Sequence, residues 1–312
     1  MKVHAQKRRS DEVRKPDLRG KVIAEAAYAG VPGAYSHIAL TRAFPSAKAT
    51  AYPKFSDAFQ IVSSGKAHCA LLPVENSIEG SVMEVHDLLL QHDVVALAEV
   101  FLAIRHMLIA NPGTTMDQIK KVYSHWQALA QCRDYITARG YEAIEYGNTA
   151  AAVEMLKAKG MNDAAAIASE DAATRYGMPI LERGIEDQKG NCTRFLLIAR
   201  TEEEEDVRRM MRINGSGPCK TSLVLGLNHE PGALYKMLGE FAERGINLTK
   251  INSRPTREKP WEYVFHVDFE GDRKTGVVRN ALEAVGHLTT FLKVVGSYRV
   301  AYDEQQQAAG SA

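Results

Sequence analysis

Cysteine is scarce in this chain and never closely spaced: Cys69, Cys132, Cys192 and Cys219 stand far apart, with no CxxC among them. That excludes a cysteine metal knuckle or a redox dithiol and suits reduced thiols in a cytoplasmic protein. The ten histidines are scattered without an HExxH or a comparable cluster, so no metal site is expected. No apolar stretch approaches the ~18 residues of a membrane span. Charge of either sign is hardly in excess, with a formal net charge of +1, so neither nucleic acid nor a membrane is an expected partner. Residues 1–20 mix charges without an apolar core and read as a flexible tail, not a signal or transit peptide.

What is present is enough chain, 312 residues, for about two domains with a sizeable core. Up to residue 200, strand-like apolar runs alternate with helical patterns, which argues for parallel sheets covered by helices. An acidic block, Glu202 to Asp206, then basic residues and Asn214-Gly215-Ser216-Gly217-Pro218 read as a linker over 201–219. The order then becomes βαββαβ, the ferredoxin-like split arrangement, over 220–302. A polar tail, expected to be disordered, closes the chain at 303–312.

One charge interrupts an otherwise apolar run. Thr193-Arg194-Phe195-Leu196-Leu197-Ile198-Ala199 reads as a buried strand, and a buried guanidinium needs an anion from the protein or from a ligand. Three other segments could carry chemistry. Gly33-Ala34-Tyr35-Ser36 opens a helix and forms either an anion site or a simple N-cap. Glu75-Asn76-Ser77 places a carboxylate, an amide and a hydroxyl at a strand end, as a substrate site or an ordinary polar turn. Ser124 and Gln127 have capping-box spacing, while Gln131, one turn on, has no capping duty. His125 invites a general-base reading, but no partner acid is visible beside it.

In order and spacing these segments resemble the prephenate dehydratases and their relatives the arogenate dehydratases. The last region resembles an ACT regulatory domain through Asn228 to Leu234 and Ile246 to Pro255. The resemblance implies an α/β catalytic region of two lobes, like a periplasmic binding protein, over 21–200, with the α+β ACT domain behind it. Lobe one would hold 22–98 and 193–200, and lobe two 99–189. The implied reaction removes CO2 and water together from prephenate to give phenylpyruvate, in phenylalanine biosynthesis, with no cofactor. Thr193 would donate to the departing hydroxyl, with Glu75, Asn76 and Gln131 as its catalytic companions. Gly33, Ala34, Tyr35, Ser36, Ser77, Ser124 and Phe195 would bind the substrate, and Arg194 would face one of its carboxylates.

The ACT resemblance implies L-phenylalanine as allosteric effector, held by Asn228, Pro231, Gly232, Ala233, Leu234, Asn247, Leu248, Ser253 and Arg254. Such sites form between paired domains, so a homodimer or homotetramer is expected, with the linker transmitting the signal. Two departures stand out. Trp126 replaces a common proline after Ser-His, and Asn252 replaces a glutamate before Ser-Arg-Pro. The other readings are an arogenate dehydratase, which would make phenylalanine directly, and a non-catalytic amino-acid sensor or solute-binding protein.

Overall fold

The computed structural model describes residues 23–213, 215–255 and 263–305. The tail at 1–20 lies outside them. So does most of that at 303–312, although Asp303 still belongs to a strand.

Lobe one opens with β1 (Glu25–Ala29), α1 (Tyr35–Ala43), β2 (Lys48–Tyr52), α2 (Phe55–Ser63), β3 (Cys69–Asn76), β4 (Gly80–Ser81), α3 (Met83–Gln91) and β5 (Val94–Ala103). Lobe two follows with β6 (Met107–Ala110), β7 (Lys121–Ser124), α4 (Trp126–Gln131), α5 (Arg133–Arg139), β8 (Glu142–Glu145), α6 (Thr149–Lys159), β9 (Ala164–Ala168), α7 (Glu170–Tyr176) and β10 (Ile180–Arg183). The chain returns to lobe one through β11 (Cys192–Arg200) and α8 (Glu204–Met210). The last unit is β12 (Ser216–Leu227), α9 (Ala233–Ala242), β13 (Leu248–Pro255), β14 (Tyr263–Glu270), α10 (Gly276–Leu288) and β15 (Thr289–Asp303).

Each lobe has a parallel core, β3-β1-β2 in the first and β9-β7-β8 in the second. The all-parallel expectation needs amendment, because β11 runs antiparallel to both β3 and β5, and β6 antiparallel to β9. These are the strands that carry the chain from one lobe to the other and back, so their direction follows the crossover. The boundary expected at 98 falls inside β5, which stays in the lobe-one sheet to Ala103.

The third unit has the expected βαββαβ order, its sheet running β13-β14-β12-β15 with antiparallel neighbours. Its last strand does more than close that sheet. The far end of β15 pairs in parallel with β5, so the two sheets join into one of ten strands. Gly296 sits at this junction, where a Cβ would lie 2.3 Å from the Ala96 carbonyl oxygen. Only glycine permits so close an approach.

Among its described residues the segment expected as a linker is folded. Glu204, Glu205 and Asp206 form the amino end of α8 and Arg208 and Arg209 its last turn, as the helix dipole favours. Val207 and Met211 are buried in the lobe-one core. Arg208 donates to the Leu97 carbonyl oxygen at 3.0 Å and to that of Ser297 at 2.9 Å, clamping β5 to β15.

A buried charge cluster completes the seam between lobe one and the ACT-like unit. Arg194, 9% exposed, donates through Nε to Glu99 at 2.9 Å. It also reaches Asp268 of β14 at 2.6 Å and the Tyr298 hydroxyl of β15 at 2.8 Å. Lys220 of β12 is 2.8 Å from the other Glu99 oxygen. Burial would raise the Asp268 carboxyl, but Arg194 beside it and the Ser222 hydroxyl hold it below the usual range. Its contribution is therefore complete above the ordinary carboxylate value of about 4 and is lost as pH falls through the depressed one. Replacing Arg194 by Met leaves Asp268 buried without this ion pair and Glu99 with Lys220 alone. The expected cost is about 3–5 kcal/mol, read from the shift in denaturant midpoint.

Candidate active site

Adjacent residues of a strand face opposite sides of the sheet, and this period decides which residues of the expected site meet. On β11, Thr193 and Phe195 face the space between the lobes, while Arg194 faces the seam. On β3 the same division separates Asn76 from Glu75. The register pairs Thr193 with Asn76 and Arg194 with Glu75, so two site residues and two seam residues stand side by side.

The space between the lobes is a cavity of about 810 Å³. Its lining includes Ala34, Tyr35 and Ser36 from lobe one, Asn76, Thr193 and Phe195 from the β3–β11 pair, and His125, Trp126 and Gln131 from lobe two. The amino ends of α1 and α6 also reach it, with Lys54 among the lining residues.

Hydrogen bonding fixes how the polar groups present themselves. The Asn76 Oδ1 atom accepts from the backbone N–H groups of Ile78 and Glu79, both at 3.0 Å. Its amide nitrogen must then point the other way, where it donates to Asn191 Oδ1 at 2.7 Å and to Thr193 Oγ1 at 3.0 Å. Asn191 in turn donates to Gln131 Oε1 at 3.1 Å. His106 Nε2 lies 2.8 Å from that same oxygen. Burial keeps the His106 imidazole below its ordinary pKa, partly offset by the Gln131 bond and by Glu186.

Several expected residues do other work. Arg194 meets protein carboxylates, not the cavity, and Glu75 is held by Lys250 at 3.0 Å. Both are corrected by the strand period, which turns them to the far face of the sheet. Ser124 is fully buried and donates to the Ile167 carbonyl oxygen at 2.5 Å, tying β7 to β9. The expected capping box is absent: His125 caps α4, its Nδ1 accepting from Gln127 N at 3.4 Å. Ser77 Oγ accepts from Cys192 N at 2.9 Å and fixes the turn after β3. Gly33 sits at a contact between the lobes with φ +93°, its carbonyl accepting from Ser169 Oγ at 3.2 Å.

His106 and Asn191 were missed. Neither lies in a recognisable motif, and their roles follow from contacts made across lobes. Asn191, buried, directly precedes β11, and its place two residues before Thr193 is the one hint the sequence offers.

A second cavity, of about 160 Å³, lies in the last unit, lined by Asn228, Ala233, Leu234, Tyr263 and Phe265 among others. Pro231 and Gly232 form the turn that starts α9, with Gly232 at φ +83°. Asn247, Leu248, Ser253 and Arg254 do not line it. Arg254 is ion-paired with Asp87 of α3 at 2.6 Å.

Comparison with known proteins decides the family. The prephenate dehydratase profile matches residues 26–203 and the ACT domain profile residues 221–287. This chain belongs to the prephenate dehydratase family. It is a dehydratase with a C-terminal ACT domain, and the non-catalytic readings give way. The chain is 42% identical over 283 residues to the chloroplastic arogenate dehydratase/prephenate dehydratase 2 of Arabidopsis thaliana, covering 88% of this chain and 72% of that one. Among solved structures, the prephenate dehydratase of Arthrobacter aurescens in complex with L-Phe is 28% identical with a TM-score of 0.78, covering 89% of this chain and 90% of that one. GqqA, described as a novel type of quorum quenching acylase, is 31% identical with a TM-score of 0.78, covering 90% and 99%. The cytoplasmic expectation is corrected here, because the Arabidopsis relatives are chloroplastic by name.

Proposed function

We propose that the cavity between the lobes binds prephenate and converts it to phenylpyruvate, with Thr193 donating to the departing hydroxyl. The observation that carries this reading is the state of the Thr193 hydroxyl. Its oxygen accepts from Asn76, and among the described residues no protein acceptor takes its hydrogen, so that hydrogen is available to a ligand in the cavity. As the C–C bond to the ring carboxylate breaks, its electron pair moves into the ring. The carboxylate departs as CO2, and the hydroxyl leaves as water, taking a proton that comes in net from solvent while the Thr193 O–H stabilises it by a hydrogen bond. Aromatisation drives this step, so positioning and one good donor suffice. Threonine is too weak an acid to be fully deprotonated and works as a donor within a hydrogen-bonded chain.

With Arg194 turned away, the substrate carboxylates need other partners. Lys54 and the first-turn N–H groups of α1 and α6 supply positive ends facing the cavity. Arogenate, with an ammonium where prephenate has a keto group, is the alternative substrate, and Glu79 and Glu84 in the lining could meet that charge. Following both substrates with the purified protein decides between them. Phenylpyruvate formation from prephenate is expected, and a preference for arogenate of about tenfold or more in kcat/KM would overturn the choice. Thr193→Val should lower kcat by about 10²–10⁴ with KM nearly unchanged, and unaltered turnover would remove Thr193 from the chemistry.

Regulation fits a phenylalanine site in the small cavity of the ACT domain, completed by a second copy in a homodimer or homotetramer. The route to the active site runs through β13. Lys250, Asn252 and Arg254, alternate residues on one face, reach Glu75, Ser81 at 3.0 Å and Asp87 of lobe one. Glu75 adjoins Asn76, so a shift of β13 bears on the turn that orients the site. Asn252, the departure from the usual glutamate, is thus a lobe contact. Lys250→Met should weaken inhibition by phenylalanine more than it changes uninhibited turnover, and an unchanged inhibition curve would rule out this route.

A further inference from the structure

The amide chain beside Thr193 has an end that the proposed reaction does not yet use. Asn76 is oriented by two backbone donors, and each amide after it is oriented by the one before. The chain arrives at Gln131 with its oxygen as the acceptor. A ring nitrogen 2.8 Å from that oxygen must carry a hydrogen, so His106 is protonated on Nε2, and burial, which lowers its pKa, keeps the ring neutral. Its other nitrogen, Nδ1, is 3.2 Å from the Tyr35 hydroxyl, whose single hydrogen is shared between Nδ1 and the Arg105 carbonyl oxygen at 2.7 Å. His106 is 2% exposed, and its backbone N–H is held by Glu186 at 2.9 Å, so the ring has little freedom to turn.

We propose that His106 is a positioning residue that locks the amide of Gln131 in one orientation. With Oε1 held by Asn191 and His106, the Gln131 nitrogen is left as a pair of donors, and among the described residues no protein acceptor takes them. Gln131 lines the cavity, so these donors serve an oxygen of the anionic substrate. Reversed, the same amide would turn its oxygen toward the substrate and repel it. It would also turn donors toward Asn191, breaking the chain that ends on Asn76 and Thr193. Backbone donors at the Asn76 end and the imidazole at the Gln131 end thus hold the row in one direction.

This inference rests on the reading of Thr193 as the donor, and the test separates the two. Nitrogen-15 NMR of the histidine-labelled protein should show His106 neutral with the proton on Nε2, and a proton on Nδ1 alone would overturn the proposal. This measurement needs no variant, so it decides even if a substitution unfolds the protein. His106→Phe, which lacks the donor, should lower kcat/KM at least about tenfold, as expected for loss of a buried hydrogen bond. His106→Gln, which can restore an N–H toward Gln131, should recover activity to within about threefold of the parent, which a loss of packing alone would not allow. If Thr193→Val is inactive while His106→Phe keeps full turnover, the positioning role fails and the Thr193 reading stands. If Thr193→Val is fully active, both fall.

Discussion

A guanidinium buried on β11 has to be met by carboxylates, and in this chain they come from two units of the fold. Glu99 belongs to the lobe-one sheet, and Asp268 to the sheet of the ACT domain. Satisfying Arg194 therefore requires the two to dock. Everything nearby is arranged around that requirement, from the absence of a side chain at Gly296 to the arginine of α8 clamping β5 and β15. A neutral residue at 194 would not link the two units in this way, and the charge that looks misplaced in an apolar strand ties together the two parts of a sheet that β15 and β5 join.

The same strand carries the reactive face. Because side chains alternate, fixing Arg194 toward the seam fixes Thr193 toward the cavity, and the paired strand β3 repeats the division with Glu75 and Asn76. The proposed catalytic cavity and the seam with the ACT domain are two sides of one pair of strands. That gives a short physical path from the ACT domain to the site. On the proposed route, a change in how β13 grips Glu75 acts one residue away, at the amide bonded to Asn191 and the Thr193 hydroxyl.

Much of this was legible in the sequence, and the misses have specific causes. The alternation of apolar runs and helical patterns revealed an α/β region followed by a βαββαβ unit, and ordered motifs pointed to the family. Thr193, Asn76 and Gln131 could be placed because each lies in such a motif. Arg194 and Glu75 are carried into the cleft by the same motifs as Thr193 and Asn76, although the period of a strand forbids neighbours from sharing a face. Ser124 fitted a capping pattern and a substrate role equally well, and its bond to Ile167 of another strand could not be seen from local spacing. The charged run at 201–219 resembled a linker because its apolar anchors, Val207 and Met211, are few and spaced by one helical turn. His106 carries no motif, and its role exists only once three amides from separate segments converge.

The central claim is that β11 divides its labour, Thr193 for the substrate and Arg194 for the seam. A crystal structure of the protein with an unreactive dicarboxylate analogue of prephenate tests it most directly. The account predicts the analogue in the cavity between the lobes, within hydrogen-bonding distance of Thr193 Oγ1 and Gln131, with Arg194 still paired to Glu99 and Asp268. A ligand carboxylate bound to Arg194 in place of Asp268 would contradict it.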